Sequence, residues 1–208
     1  IAQVPTSTRE EFDSAVQAGH EAFPDWRTTP PAARARLLFN LKQLLEDNFE
    51  ELSRIQTQEH GKTIDESRGE TRRGIENVEV AAGIPSLMMG YNLEDVAKDI
   101  DCVAVRQPIG VFAAIAPFNF PAMVPFWFLP YAVACGNTFI LKPSEQVPLT
   151  QEKIFQLIHE IGFPPGVLNL VNGARGVVDA LLENEVVNGI SFVGSSPVAR
   201  YVYAKAAQ

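Results

Sequence analysis

Asn119 stands between Pro117 and Pro121 in the segment Ala116-Pro117-Phe118-Asn119-Phe120-Pro121, where its neighbours are apolar. A side-chain amide buried in such surroundings must find hydrogen-bond partners or cost stability. Two roles meet that demand: a turn amide bonded to the backbone, or a donor steadied by the prolines and aimed at a developing oxyanion. Lys142 and Glu145 lie three residues apart after a second apolar run. They can form a solvated surface pair, or each can hydrogen-bond a ribose hydroxyl. Gly194-Ser195-Ser196 follows a third run and reads equally as an ordinary serine N-cap or as a turn presenting backbone N–H groups to a phosphate. The dinucleotide fingerprint GxGxxG and the lysine-containing phosphate loop are both absent. With two cysteines (Cys102 and Cys135), three histidines and no CxxC spacing, neither a disulfide scaffold nor a metal site is expected.

These residues need elements to hold them. Thr8 and Glu11 form a possible capping box, and Phe12, Val16 and Phe23 recur at helical spacing, which predicts a helix over residues 9 to 23. Pro30-Pro31 opens a second helical pattern with Leu37, Leu38, Leu41, Leu44 and Leu45 as its apolar stripe. Further helical segments are expected across residues 49 to 84. After Gly90 the texture changes. Strands are expected at 102–106, 110–116, 139–142, 167–171 and 189–193, alternating from the second onward with helices near 122–134, 150–161, 174–184 and 197–207. That alternation predicts an α/β fold, a Rossmann-like doubly wound parallel sheet preceded by a mainly helical N-terminal region over residues 1–90. In such a sheet ligands bind beyond the carboxyl ends of the strands, where the residues above fall.

Composition narrows the partners. The 208 residues are 46% hydrophobic and 20% charged, and the formal net charge of -8 argues against DNA or RNA, whose binding begins with a basic face. From Gln107 to Leu141 there is no Asp, Glu, Lys or Arg, long enough to suggest a membrane span. Pro117, Pro121, Pro125 and Pro130 would break one continuous helix, so parallel strands and a helix buried on both sides are expected instead, with no membrane partner.

Taken together, the run IGVFAAIAPFNFPAMVPFWFLPYAVACGNTFILKPSEQVPLT (109–150) and the later GVLNLVNG…ISFVGSSPVARYVY resemble the aldehyde dehydrogenase superfamily, in order and spacing across essentially the whole chain. PSLMMG (85–90), PFNFPAM (117–123) and SFVGS (191–195) resemble its CoA-acylating methylmalonate-semialdehyde branch, and Phe118 replaces the tryptophan of most other branches. The resemblance implies NAD as cofactor and coenzyme A as co-substrate. It implies that Asn119 is the side-chain half of an oxyanion hole and that Lys142 and Glu145 contact the adenosine ribose, with Ser144 beside them. Gly194 and Ser195 would approach the pyrophosphate. The Ala116 carbonyl, Pro117 and the Phe118 ring would border the nicotinamide. Arg73 would hold a substrate carboxylate, and Trp127 would wall the substrate channel. From the residues alone, Arg73 is one of two adjacent arginines on a charged helix, and Trp127 suits a core equally well.

The same resemblance implies a homotetramer in the cytoplasm or mitochondrial matrix, with residues 91–208 as the NAD-binding core. It places the general-base glutamate and nucleophilic cysteine downstream in a catalytic domain absent from this chain, since neither Cys102 nor Cys135 occupies the nucleophile's place. Ala199 departs from the glycine usual there.

Overall fold

The computed structural model describes residues 2–208. The chain begins with a capping box: Thr8 N–H donates to Glu11 Oε2 at 2.7 Å and Glu11 N–H to Thr8 Oγ1 at 3.2 Å. It starts helix α1 (Arg9–Thr28), which runs past its expected end at 23 and through Pro24. Pro24 is solvent-exposed, as is His20, whose carbonyl the missing N–H frees, so water can satisfy that group. The extra turn buries Trp26, whose indole N–H donates to the Val133 carbonyl at 3.2 Å.

Helices α2 (Pro31–Asp47), α3 (Phe49–His60) and α4 (Ile64–Ala82) follow as expected. A left-handed Gly61 at φ 87° ends α3, and a second capping box, Thr63 with Glu66, begins α4. A single turn, α5 (Ile84–Leu87), leads into an antiparallel hairpin of β1 (Tyr91–Ala97) and β2 (Ile100–Ala104). The strand expected at 102–106 corresponds to β2, two residues earlier, and its partner β1 carries no strand signal in the sequence. Every residue of the hairpin is exposed, so no buried face marks its sequence. Among the described residues it pairs only with itself.

Strands β3 (Val111–Ile115), β4 (Thr138–Lys142), β5 (Leu168–Leu170) and β6 (Val187–Phe192) form one parallel sheet in the order β5-β4-β3-β6. The chain steps outward from β3 through β4 to β5, then returns to the other side of β3. Side chains alternate between two cores. Phe112, Ala114, Phe139 and Leu141 face the helical layer that includes α2 and α4, whereas Val111, Ala113, Ile115 and Ile140 meet Phe12 and Val16 of α1 and helices α9 (Arg175–Glu183) and α10 (Ser196–Ala206). Burial on both faces explains the uncharged stretch read from the sequence. No helix among the described residues is long and apolar enough to cross a membrane.

One expected helix is corrected. Residues 122–134 form two short pieces, α6 (Met123–Phe126) and α7 (Leu129–Ala134), broken at Trp127-Phe128. Pro130 lacks the N–H that would bond to Phe126, and its ring would press on that carbonyl. Helix α8 (Leu149–Ile161) completes the crossover from β4 to β5.

Candidate active site

Three loops meet at the carboxyl edge of the sheet. The β3 strand delivers Ala116, Pro117, Phe118 and Asn119; β4 ends on Lys142 and leads to Ser144 and Glu145; β6 is followed by Gly194 and Ser195. All nine residues line one open cleft of about 410 Å³. Its position follows from the topology. β3 and β6 are neighbours, but the chain leaves β3 toward the helical layer holding α6 and α7, and leaves β6 toward the opposite core through α10. Diverging connections open a crevice between adjacent strand ends.

The side chains there are provisioned for polar ligands. Lys142 is 4% exposed, and its ammonium meets Glu145 Oε2 at 3.1 Å, the one carboxylate partner found for it among the described residues. An ammonium carries three donors, so two are left for hydroxyl oxygens entering the cleft. Burial pushes the Glu145 carboxyl upward. Its own backbone N–H and the hydrogen bond and charge of Lys142 outweigh that and hold it below the usual carboxylate range. Gly194 sits against Phe192, and a Cβ there would meet the ring at 2.5 Å. Ser195 is the N-cap of α10 yet makes no side-chain capping bond, so the alternative of a simple serine cap is not realised.

Asn119 also differs from the buried amide expected of its apolar flanks. It is exposed at the loop tip, and its side-chain amide has no hydrogen-bond partner among the described residues. The turn-amide role is therefore not taken. Asn119 lines a second cavity as well, of about 410 Å³, with His60, Lys62, Glu70, Arg73 and Phe120. The two adjacent arginines separate here. Arg72 is paired with Glu46, its Nη2 lying 2.8 Å from Oε2, while Arg73 lines the cavity without a salt bridge among the described residues. Trp127 caps the end of α6 and lines neither cavity.

A third space of about 460 Å³ shares Ile115, Lys142, Glu145 and Val198 with the cleft and runs between α9 and α10, where Arg175, Val178, Val198 and Tyr201 wall it. Sequence reasoning did not reach these four. Val198 and Tyr201, three apart on α10, carried the only signal, an apolar face with no assigned neighbour.

His60 lies behind the loop, its ring stacked on Phe118 at 6.3 Å between centroids. Burial, and secondarily the charge of Lys62, push its pKa below 6.5, against weaker raising by Glu70 and Glu66. The stability this contributes is present above the unfolded value near 6.5 and lost as pH falls through the lower folded value. Imidazole NMR is expected to place the His60 midpoint below 6.5 and to move it upward in Phe118→Ala, which uncovers the ring. A midpoint at or above 6.5 in the parent protein would contradict the burial argument.

The profile described as aldehyde dehydrogenase family matches residues 1–208. The chain belongs to the aldehyde dehydrogenase family. Over 207 residues it is 54% identical to malonate-semialdehyde dehydrogenase 3 of Geobacillus kaustophilus, covering 100% of this chain and 43% of that protein. The crystal structure of a methylmalonate-semialdehyde dehydrogenase from Oceanimonas doudoroffii superposes with a TM-score of 0.97 at 47% identity, over 100% of this chain and 42% of that one. A Sinorhizobium meliloti 1021 protein, assigned the same activity and solved with NAD, gives a TM-score of 0.95 at 45% identity, over 98% and 42% of the two chains. This aldehyde dehydrogenase chain thus spans under half the length of the curated relatives it matches.

Proposed function

We propose that the chain supplies the cofactor site and the side-chain oxyanion donor of an NAD-dependent semialdehyde dehydrogenase. Residues 91–208 are read as the NAD-binding core, with residues 1–90 as its helical flank. The observation carrying this is the meeting of Asn119, Lys142, Glu145 and the Gly194-Ser195 turn in one cleft where β3 and β6 diverge. The residues present fit a dinucleotide. Lys142 keeps free donors for ribose hydroxyls beside Glu145, and the slot between α9 and α10 opens on that pair with Val178, Val198 and the Tyr201 ring as surfaces suited to an adenine. The first turn of α10 offers backbone N–H groups to a pyrophosphate. Glu145, held ionised by Lys142, would repel a 2′-phosphate, which favours NAD over NADP.

Bound NAD supplies the hydride acceptor. In this reading a cysteine from outside these 208 residues adds to the aldehyde carbon, and Asn119 donates to the oxyanion so formed. The oxyanion's electron pair then re-forms the carbonyl as hydride leaves that carbon, producing a thioester. The carboxylate departs as carbon dioxide, leaving an enolate that takes up a proton at its α-carbon, and coenzyme A thiolate displaces the cysteine. Malonate or methylmalonate semialdehyde would so become acetyl-CoA or propionyl-CoA. Arg73 lines the second cavity beside Asn119 with no salt bridge among the described residues, which supports reading it as the holder of the substrate carboxylate.

The test is NADH formation by the protein as it is naturally made, supplied with malonate semialdehyde, NAD and coenzyme A. A CoA thioester is expected. Release of free acid at the same rate without coenzyme A would favour a non-acylating enzyme, and no NADH from any semialdehyde would overturn the reading. Arg73→Ala should raise KM for the semialdehyde about tenfold or more, the weight of a charge-assisted bond, while leaving an uncharged aldehyde within about twofold. Equal effects on both substrates would remove Arg73 from the site.

A further inference from the structure

Behind Asn119 the helical layer reaches into the loop with buried polar groups that none of the cofactor chemistry uses. The Lys62 side chain is 9% exposed and that of Glu70 1%, and the two are directly paired. The Lys62 ammonium also donates to the backbone carbonyl of Asn119 at 2.8 Å and lies 4.9 Å from the centre of the Phe120 ring. The other Glu70 oxygen accepts from the N–H groups of Ala122 and Met123 at 2.8 and 3.2 Å. On the far side, Gln151 Nε2 donates to the Pro121 carbonyl at 2.6 Å. The backbone from 119 to 123 is thus gripped at four points by side chains remote in sequence, while the Asn119 amide itself stays free.

From this geometry we infer that Lys62 and Glu70 are positioning residues, which fix the peptide of Asn119 so that its side-chain amide meets the oxyanion without reorganising. The inference rests on the oxyanion role given to Asn119. Lys62 lines the second cavity, but its donors are taken by Glu70 and the Asn119 carbonyl and its remaining face by the Phe120 ring, so it is not a substrate ligand. Charge-assisted bonds made by a buried pair are short and directional, which suits them to holding a loop. Glu70 also gives the Ala122 and Met123 N–H groups, at the start of α6, an acceptor they otherwise lack among the described residues.

Lys62→Met in the protein as it is naturally made is expected to lower kcat about ten- to a hundredfold, the penalty of a displaced catalytic group, with KM for semialdehyde and for NAD within about twofold. Combined with Asn119→Ala, Lys62→Met should cost little more, because its effect passes through that amide. A purely structural residue would lower kcat by the same factor in both backgrounds, and that result would overturn the inference, as would an unchanged kcat in Lys62→Met. Should Lys62→Met not fold, Glu70→Gln takes its place under the same criteria, since it keeps an acceptor for Ala122 and Met123 but loses the charge that holds Lys62. If Asn119→Ala alone leaves kcat intact, the oxyanion reading fails and takes this inference with it. If Asn119→Ala is slow but Lys62→Met and Glu70→Gln are not, only the positioning role fails.

Discussion

Asn119→Ala is expected to lower kcat for semialdehyde oxidation by about 10²–10³, the usual cost of removing one oxyanion donor, while KM for NAD stays within about twofold. Asn119 lines both the cleft at the sheet edge and the cavity beside Arg73, which in the proposed reading are the cofactor and substrate sides. Its exposed side-chain amide makes no hydrogen bond among the described residues, so removing it breaks none. The loop would still be held by Lys62, Glu70 and Gln151 through backbone atoms that the substitution retains. Loss of rate with an unchanged thermal midpoint is therefore the expected pattern. A fall of less than about tenfold would place the oxyanion elsewhere.

Phe139→Ala should cost about 3–5 kcal/mol, a large part of the roughly 5–15 kcal/mol that holds a typical domain folded. Phe139 is 1% exposed in β4, a strand with parallel neighbours on both sides, and its ring belongs to the core under the helical layer. Neighbours fixed in two ladders cannot close around the vacated ring, so both the transfer energy and the cavity are felt. Lys142 ends the same strand, three positions on, where Ile115 of β3 is its partner in register. Urea unfolding should show a lower midpoint at unchanged slope, with NAD affinity falling only as far as the folded fraction falls. A loss under about 1.5 kcal/mol would mean that β4 can relax into the cavity.

The elements that could be read from the chain are those whose signals are local. The Thr8-Glu11 box, the leucine stripe of α2 and the buried runs that became β3 and β4 each carry their pattern within a few residues; α1 and α2 start where expected, and β3 and β4 lie within one residue of their expected bounds. The same reading failed where burial gives no periodicity. The hairpin strand β1 contains Asn92, Glu94 and Asp95 and buries nothing, so only its partner registered. Residues 122–134 had the apolarity of a helix, but the break came from Pro130 acting on a carbonyl four residues back.

For the site, residue types and order sufficed to bring out Asn119, Lys142, Glu145 and the Gly194-Ser195 turn, because each follows a strand and strands end at one edge of a parallel sheet. What those types left open was which of two roles each side chain takes. Packing shows where each side chain goes: Arg72 pairs with Glu46 while Arg73 lines the cavity, the Ser195 hydroxyl makes no cap, and the Asn119 amide has no hydrogen-bond partner among the described residues. Sequence alone had no access to the Lys62-Glu70 grip, whose contact with the Asn119 carbonyl spans 57 positions of the chain. Such a contact exists only once α4 lies against α6, where Gly74 approaches Phe126 so closely that a Cβ would meet the ring at 2.9 Å. Strand ends are ordered by local pattern and chain direction, but the grip on the loop depends on how two distant helices pack.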